Sequence, residues 1–535
     1  MATSPQVTGH QTPSRCFRSP SPSAKRIKLS NGTSNMSTTS DSVVGVEALQ
    51  TIATKTNKQQ PAQTHFLNSA TTAETSYAPP TPTMQALVEE EMEKPIEVMK
   101  TYQKELDYEN KLVLAPMVRT GSFGDQQQRL LSLHYGAGLV WGPEIVDKAI
   151  IGAERIVDRN GVITYTKKGG DGKPIFSCHP VEKPFLIYQI GTSDPELAVL
   201  AAKTVEQDVA GFVHSGMGAA LLSTPDLLLS ILRALLNNVS VPISCKIRLL
   251  PDQPATLHLA SRILRTGVRA LTVHCRTRDM RSSVKALWER LGDIVQLGKR
   301  RGVPVLCNGD GEGWANWKAI REMTGATSVM IARAAESNPS IFNPTGPIST
   351  MERLIPTTFL PVCVFIANHY SNTKFLLYQF KPSTPPISNL TKAERKTYSD
   401  GIAAAKTIEQ AVQFFGLTMD DARTTGEQFM KDLKKTLKER EPEAYGTDEF
   451  GDDWVKAALA AAPQHTLNAP TKPQLAIPAH HVEHHTKDIF KQRKEAEVKG
   501  KVQDMPATAS TEGQDNGPSE VLQQEELDEE AMMNA

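Results

Sequence analysis

The chain has 535 residues, of which 39% are hydrophobic and 22% charged, and its 59 Lys and Arg residues balance its 59 Asp and Glu residues. The length suffices for one large domain with a smaller one, or for several. The zero net charge excludes a basic footprint over the whole chain, so a nucleic-acid surface would have to be a local patch. The six cysteines form no Cys-x-x-Cys pair and no apolar run is long enough to cross a membrane, which argues against a disulfide framework, a zinc site and a membrane protein.

The N-terminal arm, residues 1–82, lacks hydrophobic periodicity and is expected to be disordered. Its first 40 residues contain no Asp or Glu and include a basic cluster, Lys25, Arg26 and Lys28. Three interpretations stay open: a nuclear import signal, a mitochondrial transit peptide and a chance cluster. The prolines of the arm argue against the amphipathic helix of a transit peptide. We therefore expect the cytoplasm, the nucleus or both, with the mitochondrion as the alternative.

A helix is predicted near Met84, and from about residue 106 to 342 apolar strand-like runs alternate with helical patterns. This strict alternation predicts an α/β fold, a (β/α)8 TIM barrel, with a doubly wound open sheet as the alternative. The eight runs are "KLVLAPM", "GLVWGPEIV", "PFLIYQIG", "VAGFV", "PISCKIRLL", "ALTVHCR", "VPVLCNGDG" and "SVMIARAA". The stretch "NGVITYTKKGGDGKPIF" interrupts the second strand–helix unit and predicts an inserted hairpin.

Beyond the barrel the pattern becomes helical. We assign residues 83–346 to the barrel domain, 347–445 to a small helical domain and 446–535 to a mostly disordered tail. The basic, Pro/Ser-rich stretch 381–396 is expected to be an exposed loop. In the tail, "HHVEHH" at 480–485 has the spacing for a metal on a helix, but its disordered context favours a chance cluster, so no metal site is assigned.

Side chains at the carboxyl ends of barrel strands face the active site, so Lys246 and His274 are candidates. Lys246 stands in an otherwise apolar strand, where an ammonium is costly unless an anion or strong acceptor meets it. It is interpreted either as a cation facing an electron-rich ligand or as a lysine that extends to a loop. His274 is likewise either a site residue or a structural histidine.

The last two strand ends favour a phosphate site. "NGDGEG" supplies Gly309, Gly311 and Gly313, whose N–H groups can approach an anion, and Arg333 begins the segment after the eighth strand. Barrels commonly bind phosphate in these two loops. A flavin mononucleotide (FMN) would place its phosphate there, with Lys246 near the electron-rich edge of the ring and Gln189 at its polar rim.

Several motifs resemble tRNA-dihydrouridine synthases, closest to the eukaryotic, fungal type that acts on uridine 20 of the D-loop. They include "LAPMVRTGSFGDQQQRLLSLHYGAGLVWGPEIVD", "GMGAALLSTPDLL", "PISCKIRLL", "LTVHCRTRDMR", "VLCNGDG" and "SVMIARAAESNPSIF". The likeness covers about 106–342 and continues more weakly into the helical part, where "NHYSNTKFLLYQF" is similar to the family's tRNA-contacting helix.

The resemblance implies an FMN reduced by NADPH, hydride transfer to C6 of a flipped-out uracil, and tRNA as the partner. We expect the chain to be a monomer. By the same resemblance, the cofactor-binding residues would be Pro116, Met117, Val118, Gln189, Lys246, His274, Asn308, Gly309, Asp310, Ala332 and Arg333. Arg276, Asn372 and Lys374 would contact the RNA.

One feature departs from the family. In "QDVAGFVHSGMGAALL", residues 207–222, the fourth strand runs almost directly into the glycines. The family carries there a longer Asn-x-Gly-Cys-Pro loop, whose cysteine is the general acid that protonates C5. No cysteine stands between Phe212 and Gly216, and Cys178, Cys245, Cys275 and Cys307 are not expected to replace it.

The chain is thus interpreted as a synthase that is impaired as written, with the catalytic residue unassigned. A gene-model or splicing omission and a real inactive paralogue both remain open. The alternatives in function are a non-catalytic FMN- and tRNA-binding pseudoenzyme and a flavin oxidoreductase acting on a small molecule. The basic helical domain argues against the last of these.

Overall fold

The computed structural model describes residues 83–117, 125–169, 173–214, 220–445, 450–451 and 453–461, all within one compact unit. The N-terminal arm with its basic cluster, the histidines at 480–485 and Val118 lie outside the described residues. In the described part the strands are β1 (Leu112–Leu114), β2 (Leu139–Val146), β3 (Glu154–Val157), β4 (Ile163–Thr166), β5 (Pro174–Cys178), β6 (Leu186–Gly191), β7 (Gly211–His214), β8 (Ile243–Arg248), β9 (Leu271–His274), β10 (Val305–Asn308) and β11 (Ser328–Ile331).

Eight parallel strands close into a barrel, in the order β1, β11, β10, β9, β8, β7, β6, β2 and back to β1. Seven of them lie within predicted runs and β7 extends one residue beyond the run "VAGFV", so the predicted TIM barrel is confirmed and the alternative of an open sheet is wrong. Strands of such a barrel are covered by helices outside and by layered side chains inside, which explains their continuous apolar character. All six residues of β6, for example, are buried.

The helices that cover and extend the barrel follow from local signals. They are α1 (Met84–Glu93), α2 (Gln126–Tyr135), α3 (Asp147–Ile150), α4 (Pro195–Val205), α5 (Pro225–Asn238), α6 (Gln253–Arg265), α7 (Leu291–Arg301), α8 (Trp317–Thr324), α9 (Arg333–Ser337), α10 (Leu360–Phe365), α11 (Tyr370–Gln379), α12 (Lys392–Ala404), α13 (Ile408–Phe414), α14 (Met419–Arg440), α15 (Pro442–Tyr445) and α16 (Trp454–Ala460). A π-helical segment, Thr350–Phe359, leads directly into α10.

Capping side chains fix several helix starts. Asp194 accepts from the backbone N–H groups of the first turn of α4, and Asp252 does the same for α6. Thr391 and Glu394 form a capping box at the start of α12. The exposed loop predicted over 381–396 therefore ends at Thr391, and its last five residues belong to a helix.

The segment inserted after β2 forms a small antiparallel sheet in the order β3, β4, β5. The predicted hairpin corresponds to β4 and β5, and β3 is a third strand that the sequence pattern did not indicate. Asp208, near the end of the helix after β6, ties this sheet to the barrel. It accepts a hydrogen bond from the Tyr165 hydroxyl and an ion-paired one from Arg155 Nε at 2.7 Å.

The helical part packs directly on the barrel. The longest helix, α14, lies against α10 and α2, and its Arg440 donates to the carbonyl oxygens of Leu133 and Ala137, both at 3.0 Å. Helix α11 packs against α9, which directly follows the carboxyl end of β11. The helix that resembles the family's tRNA-contacting helix thus lies beside the mouth of the barrel.

The chain returns to the inserted sheet beyond residue 445. The Trp454 ring of α16 makes an edge contact with His179, with 4.8 Å between ring centroids, and Arg155 donates to the carbonyl of Ala458 at 2.7 Å. The domain boundary at residue 445 stays a prediction, and α16 is an ordered element in the segment assigned to the tail.

Candidate active site at the barrel mouth

Strand β8 carries two cations on alternate residues, Lys246 and Arg248, and both are half-buried. The register sets them level with Thr272 and His274 of β9. Lys246 has no hydrogen-bond or ion-pair partner within the described part of the chain. Burial lowers the pKa of Lys246 to about 8, Arg248 adds to this effect, and Glu144 opposes it. The site therefore holds an ammonium that an anionic or electron-rich ligand would stabilise.

Gln189 of β6 lies opposite Glu144 of β2 in the register, and its side-chain amide donates to the Glu144 carboxylate. Gly191 leaves room for this carboxylate, since a Cβ atom there would lie 3.0 Å from the Cγ of Glu144. Glu144 is not among the site residues predicted from the sequence. A lone carboxylate in an otherwise apolar strand was the signal that would have identified it, the same signal that identified Lys246.

His274, Arg276 and Asp310 form a connected group where β9 and β10 end. Arg276 Nη1 lies 3.3 Å from Nε2 of His274, and Arg276 Nη2 donates to Oδ1 of Asp310. The same oxygen accepts from Arg333 Nη2 at 3.0 Å, and the other Asp310 oxygen accepts from the backbone N–H of Ala286 at 2.7 Å. These contacts hold the pKa of the Asp310 carboxyl below its usual range, although burial alone would raise it.

Four cations surround His274. Burial first, and then these charges, lower the pKa of His274 to about 2, so its imidazole is neutral at physiological pH. The four are Lys246, Arg248, Arg276 and Arg333. They outnumber the two carboxylates of the mouth, Glu144 and Asp310, and give it a net positive charge.

The residues predicted to bind the phosphate lie together where β10 and β11 end, and their contacts differ. Asn308 donates from its side-chain amide to the Met330 carbonyl at 3.0 Å, which ties β10 to β11. Gly309 has φ +120°, and a Cβ atom there would lie 2.9 Å from that of Ala286. The Asp310 carboxylate is an anion already held by two arginines, so only its backbone N–H could contact a phosphate.

Arg333 is the cation best placed to meet a phosphate. It is the first residue of α9, follows Ala332 directly, and its side chain is 59% exposed. Its guanidinium is held from one side by Asp310, which leaves other N–H groups for a ligand.

At the first strand, Pro116 and Met117 follow β1 closely. Pro116 is half-buried and Met117 is buried, at 8% exposure. Ala115 continues the sheet, because its N–H donates to the Ile331 carbonyl at 2.8 Å. Pro116 and Met117, which follow Ala115, therefore lie at the same end of the barrel as Lys246 and His274.

The strand before the shortened join ends in His214, which is fully buried. Its Nδ1 lies 3.2 Å from the carbonyl oxygen of Ile190, so this nitrogen carries the proton and Nε2 carries a lone pair without a partner among the described residues. Burial lowers the pKa of His214 to about 4. The five residues that follow it lie outside the described residues.

The described thiols are all buried. Burial raises the pKa of Cys245 to about 12, and Cys307 lies 3.8 Å, sulfur to sulfur, from Cys275. The sulfur contact and burial raise the pKa of Cys307 well above its usual range. Cys275 and Cys178 are also fully buried.

The residues predicted to contact RNA have other contacts in this structure. Arg276 is 3% exposed and is held within the mouth. Lys374 donates to the carbonyl oxygens of Ala403 and Ala405, at 2.9 and 2.7 Å, and so caps the end of α12. Asn372 is half-buried in the first turn of α11. A contact of these three residues with RNA stays a prediction.

The barrel and its mouth define a class of protein, a TIM barrel with a net positive charge at the carboxyl ends of its strands. Residues 113–415 match the family model described as dihydrouridine synthase (Dus), which covers more than half of the chain. The chain belongs to the dihydrouridine synthase family, which consists of flavin-dependent oxidoreductases that process tRNA.

Two fungal relatives carry the name tRNA-dihydrouridine(20) synthase [NAD(P)+]. The Schizosaccharomyces pombe protein is 45% identical over 316 residues, a match that covers 55% of this chain and 64% of that protein. The Saccharomyces cerevisiae protein is 35% identical over 302 residues, a match that covers 51% of this chain and 78% of that protein. The tRNA-dihydrouridine synthase B of Escherichia coli is 31% identical over 245 residues, a match that covers 44% of this chain and 70% of that protein. Morphinone reductase in complex with tetrahydroNAD has a TM-score of 0.30 at 11% identity, covering 43% of this chain and 85% of that one.

The residues at the mouth fit a flavin. The supporting observation is Lys246, a half-buried ammonium without a partner in the described part of the chain. Gln189 and a neutral His274 can form hydrogen bonds to a polar ring edge, and Arg333 can meet a phosphate. The described residues contain no group of three or more His, Cys, Asp or Glu that could hold a metal. No described helix is both long and apolar enough to cross a bilayer.

Proposed function

We propose that the chain binds FMN at the barrel mouth and acts on tRNA, reducing uridine 20 of the D-loop to 5,6-dihydrouridine with NADPH as reductant. The observation that supports this most directly is the unpartnered Lys246 ammonium at the carboxyl end of β8. Such a cation favours a ligand that becomes electron-rich on reduction. The named activity of the two fungal relatives agrees with this substrate.

In this proposal Lys246 and Gln189 hold the polar edge of the flavin ring, with His274 close to the ring or the uracil. Arg333 and the N–H groups of Gly309 and Asp310 hold the phosphate. Pro116, Met117 and the neighbouring Val118 line the ring. When bound and reduced by NADPH, FMN would supply the hydride that C6 of the uracil receives.

The reduction of uracil also needs a proton at C5, and the described residues offer no good donor for it. The thiols are buried, and the proton of His214 is committed to the Ile190 carbonyl. A neutral imidazole such as His274 is a very weak acid. We therefore propose that the chain as written is impaired because it lacks the Asn-x-Gly-Cys-Pro loop, and that water supplies the proton. Loss of a placed general acid typically costs about 10²–10⁴-fold in rate.

For the tRNA contact we propose the side of the mouth where α11 packs against α9. Because Lys374 is engaged with the end of α12, the exposed lysines around it are the better candidates for contact with the RNA backbone. Exposed lysines of the helical part are Lys381, Lys392, Lys396, Lys406, Lys431 and Lys435.

The second candidate function is a pseudoenzyme that binds FMN and tRNA without reducing uridine. The observation that favours it is the absence of an exposed thiol in the described residues. A flavin oxidoreductase acting on a small molecule would not need the lysines of the helical part, and its tRNA binding would not depend steeply on salt.

The test uses the purified full-length chain, incubated with FMN and then with tRNA and NADPH. Its matched variants are Lys246→Met and a chain with an Asn-x-Gly-Cys-Pro loop of about twelve residues restored after Phe212. We expect a yellow protein, loss of FMN in the Lys246 variant, and more dihydrouridine in tRNA with the restored loop. A colourless wild-type chain in excess FMN would refute the proposal. FMN and tRNA binding without dihydrouridine, even with the loop restored, would favour the pseudoenzyme.

We also propose that the enzyme is a monomer of the cytoplasm or nucleus, with nuclear entry driven by the basic cluster Lys25, Arg26 and Lys28. A fluorescent fusion with these three residues changed to alanine should lose nuclear signal. Mitochondrial fluorescence of the unchanged fusion would contradict this localisation. Light scattering of the purified chain tests the monomer.

A further inference from the structure

Arg276 is a buried arginine at the mouth that the reaction scheme leaves without a role. Its Nε donates to the Val284 carbonyl at 2.7 Å, and its Nη2 donates to the Ser282 carbonyl and to the Asp310 carboxylate. These three contacts fix the guanidinium plane, because a planar fork with several donors engaged cannot rotate freely. The remaining nitrogen, Nη1, lies 3.3 Å from Nε2 of His274.

This last contact determines which nitrogen of His274 carries the proton. A guanidinium only donates hydrogen bonds, so Nε2 of His274 must accept and must hold a lone pair. A neutral imidazole has one N–H, which then belongs to Nδ1. Nδ1 has no hydrogen-bond partner among the described residues.

The surroundings of His274 keep it neutral. Charged groups face it from each neighbouring element: Lys246 and Arg248 from β8, Arg276 from its own loop, Asp310 from the loop after β10, and Arg333 from α9. The carboxylate does not touch the imidazole, since both of its oxygens are used by the arginines and the Ala286 N–H. Protonation of His274 would put a fifth positive charge among four cations and would break the contact with Arg276.

We propose that Arg276 is a positioning residue that locks His274 in the Nδ1–H tautomer, so that this histidine presents a permanent hydrogen-bond donor to an acceptor atom of the bound ligand. The ligand class that fits is a planar heterocycle with a carbonyl oxygen or unprotonated ring nitrogen at its edge. For the flavin as that ligand, the inference rests on the proposed function. The tautomer itself does not.

The geometry of Gly309 supports this lock. A Cβ atom at that position would lie 3.4 Å from both Arg276 Nη1 and His274 Cδ2 and 2.9 Å from the Ala286 Cβ, and the φ of +120° is one that other residues rarely adopt. The backbone directly after β10 therefore passes close beside the Arg276–His274 contact, and a side chain at Gly309 would crowd this contact.

The tautomer can be read directly from the ligand-free chain by nitrogen-15 NMR with selectively labelled histidine, the His274 signals being assigned by their loss in His274→Gln or His274→Asn. We expect a protonated-type signal from Nδ1, an unprotonated-type signal from Nε2, and no change between about pH 5 and 8. A proton on Nε2, or a titration within that range, would overturn the proposal.

Two variants separate the hydrogen bond from the charge. Arg276→Met removes both, whereas Arg333→Met removes a cation that contacts Asp310 but not His274. We expect a mixture of tautomers in Arg276→Met and an unchanged Nδ1–H tautomer in Arg333→Met. Equal effects of the two variants would mean that net charge, and not the Arg276 contact, sets the tautomer. If Arg276→Met does not fold, the wild-type and Arg333→Met spectra still test whether Nδ1 of His274 carries the proton.

A second readout is the ratio of FMN dissociation constants, Arg276→Met over wild type, which cancels the ionisation of the FMN phosphate. We expect a ratio of about fivefold at pH 7.5. The ratio should fall to about one when Arg276→Met/His274→Gln is compared with His274→Gln, because no imidazole tautomer is then left for Arg276 to fix. A fivefold ratio that persists in the His274→Gln background would exclude the donor role. Failure of the wild-type chain to bind FMN would refute the proposed function and leave the NMR result valid.

Discussion

Replacing Lys246 by methionine should stabilise the ligand-free protein while abolishing its affinity for flavin. In the folded protein the pKa of Lys246 falls from 10.5 to about 8, so keeping its charge at neutral pH has a free-energy cost. At about 1.36 kcal/mol for each pH unit, this interval corresponds to about 3 kcal/mol. That value is an upper limit, because the half-buried side chain can move toward water.

The pH dependence follows from the direction of this shift. Below the folded-state pKa of about 8 the lysine is charged in both the folded and unfolded chain, and the full cost applies. Between about 8 and 10.5 the unfolded chain binds more protons than the folded one, so the free energy of unfolding rises with pH in this window. A bound anion would stabilise the charged lysine and offset this cost.

The assay is urea unfolding of wild type and Lys246→Met at pH 7 and pH 10, without FMN. We expect the variant to be more stable by about 1–3 kcal/mol at pH 7, with a smaller advantage at pH 10. FMN should raise the midpoint of the wild type and not of the variant. A variant that is less stable than wild type at pH 7, or that still binds FMN, would refute the assignment of Lys246 as an unpartnered ligand-binding cation.

Three further predictions concern stability, measured by urea unfolding. Gly313→Ala should lower stability by more than about 2 kcal/mol, because its Cβ atom would lie 2.4 Å from the Ile341 carbonyl oxygen at a φ of +77°. The control is Gly346→Ala, at a φ of +99° with nothing within 4 Å of the added Cβ atom. It should lower stability by only about 1 kcal/mol, through backbone strain. Equal costs would mean that the loop after β10 yields freely. Glu182→Gln should cost about 3 kcal/mol, because Glu182 and its partner Arg129 are both fully buried and the arginine would lose one carboxylate. A neutral effect would show that Asp125 alone satisfies Arg129. Trp454→Ala should lower stability by about 2 kcal/mol without changing FMN affinity, since it packs on His179 and beneath the Lys434 ammonium, and an unchanged midpoint would mean that α16 contributes no stability.

Much of the fold could be read from local patterns. The apolar runs placed all eight barrel strands, and capping residues such as Asp194 and Asp252 mark helix starts by hydrogen bonds to their own first turn. Lys246 was identified for the same kind of reason, since a charge in an apolar strand stands out in the sequence alone. Family membership also follows from motifs that are contiguous in the chain.

The structure alone decided which side chains meet. Arg276 and Asp310 are 34 positions apart, and no pattern in either segment shows that they pair. The pairing buries Arg276, which the sequence had assigned to the RNA side. Lys374 likewise lies in a helix that resembles an RNA-contacting one, yet its ammonium caps α12 across 31 positions of chain.

The difference between what the sequence determined and what the tertiary structure decided has one physical cause. Strand and helix signals arise from backbone and side-chain preferences within a few residues, so the sequence determined the barrel, its helices and the Lys246 cation in an otherwise apolar strand. Hydrogen bonds and ion pairs between distant segments depend on how closed strands and loops bring their ends together, and a charged residue looks the same in the sequence whether its partner is a ligand, another side chain or a helix end. Tertiary structure therefore decided that Arg276 contacts His274, that Asp310 holds two arginines, and that Lys246 and the other N–H groups of Arg333 were left for a ligand.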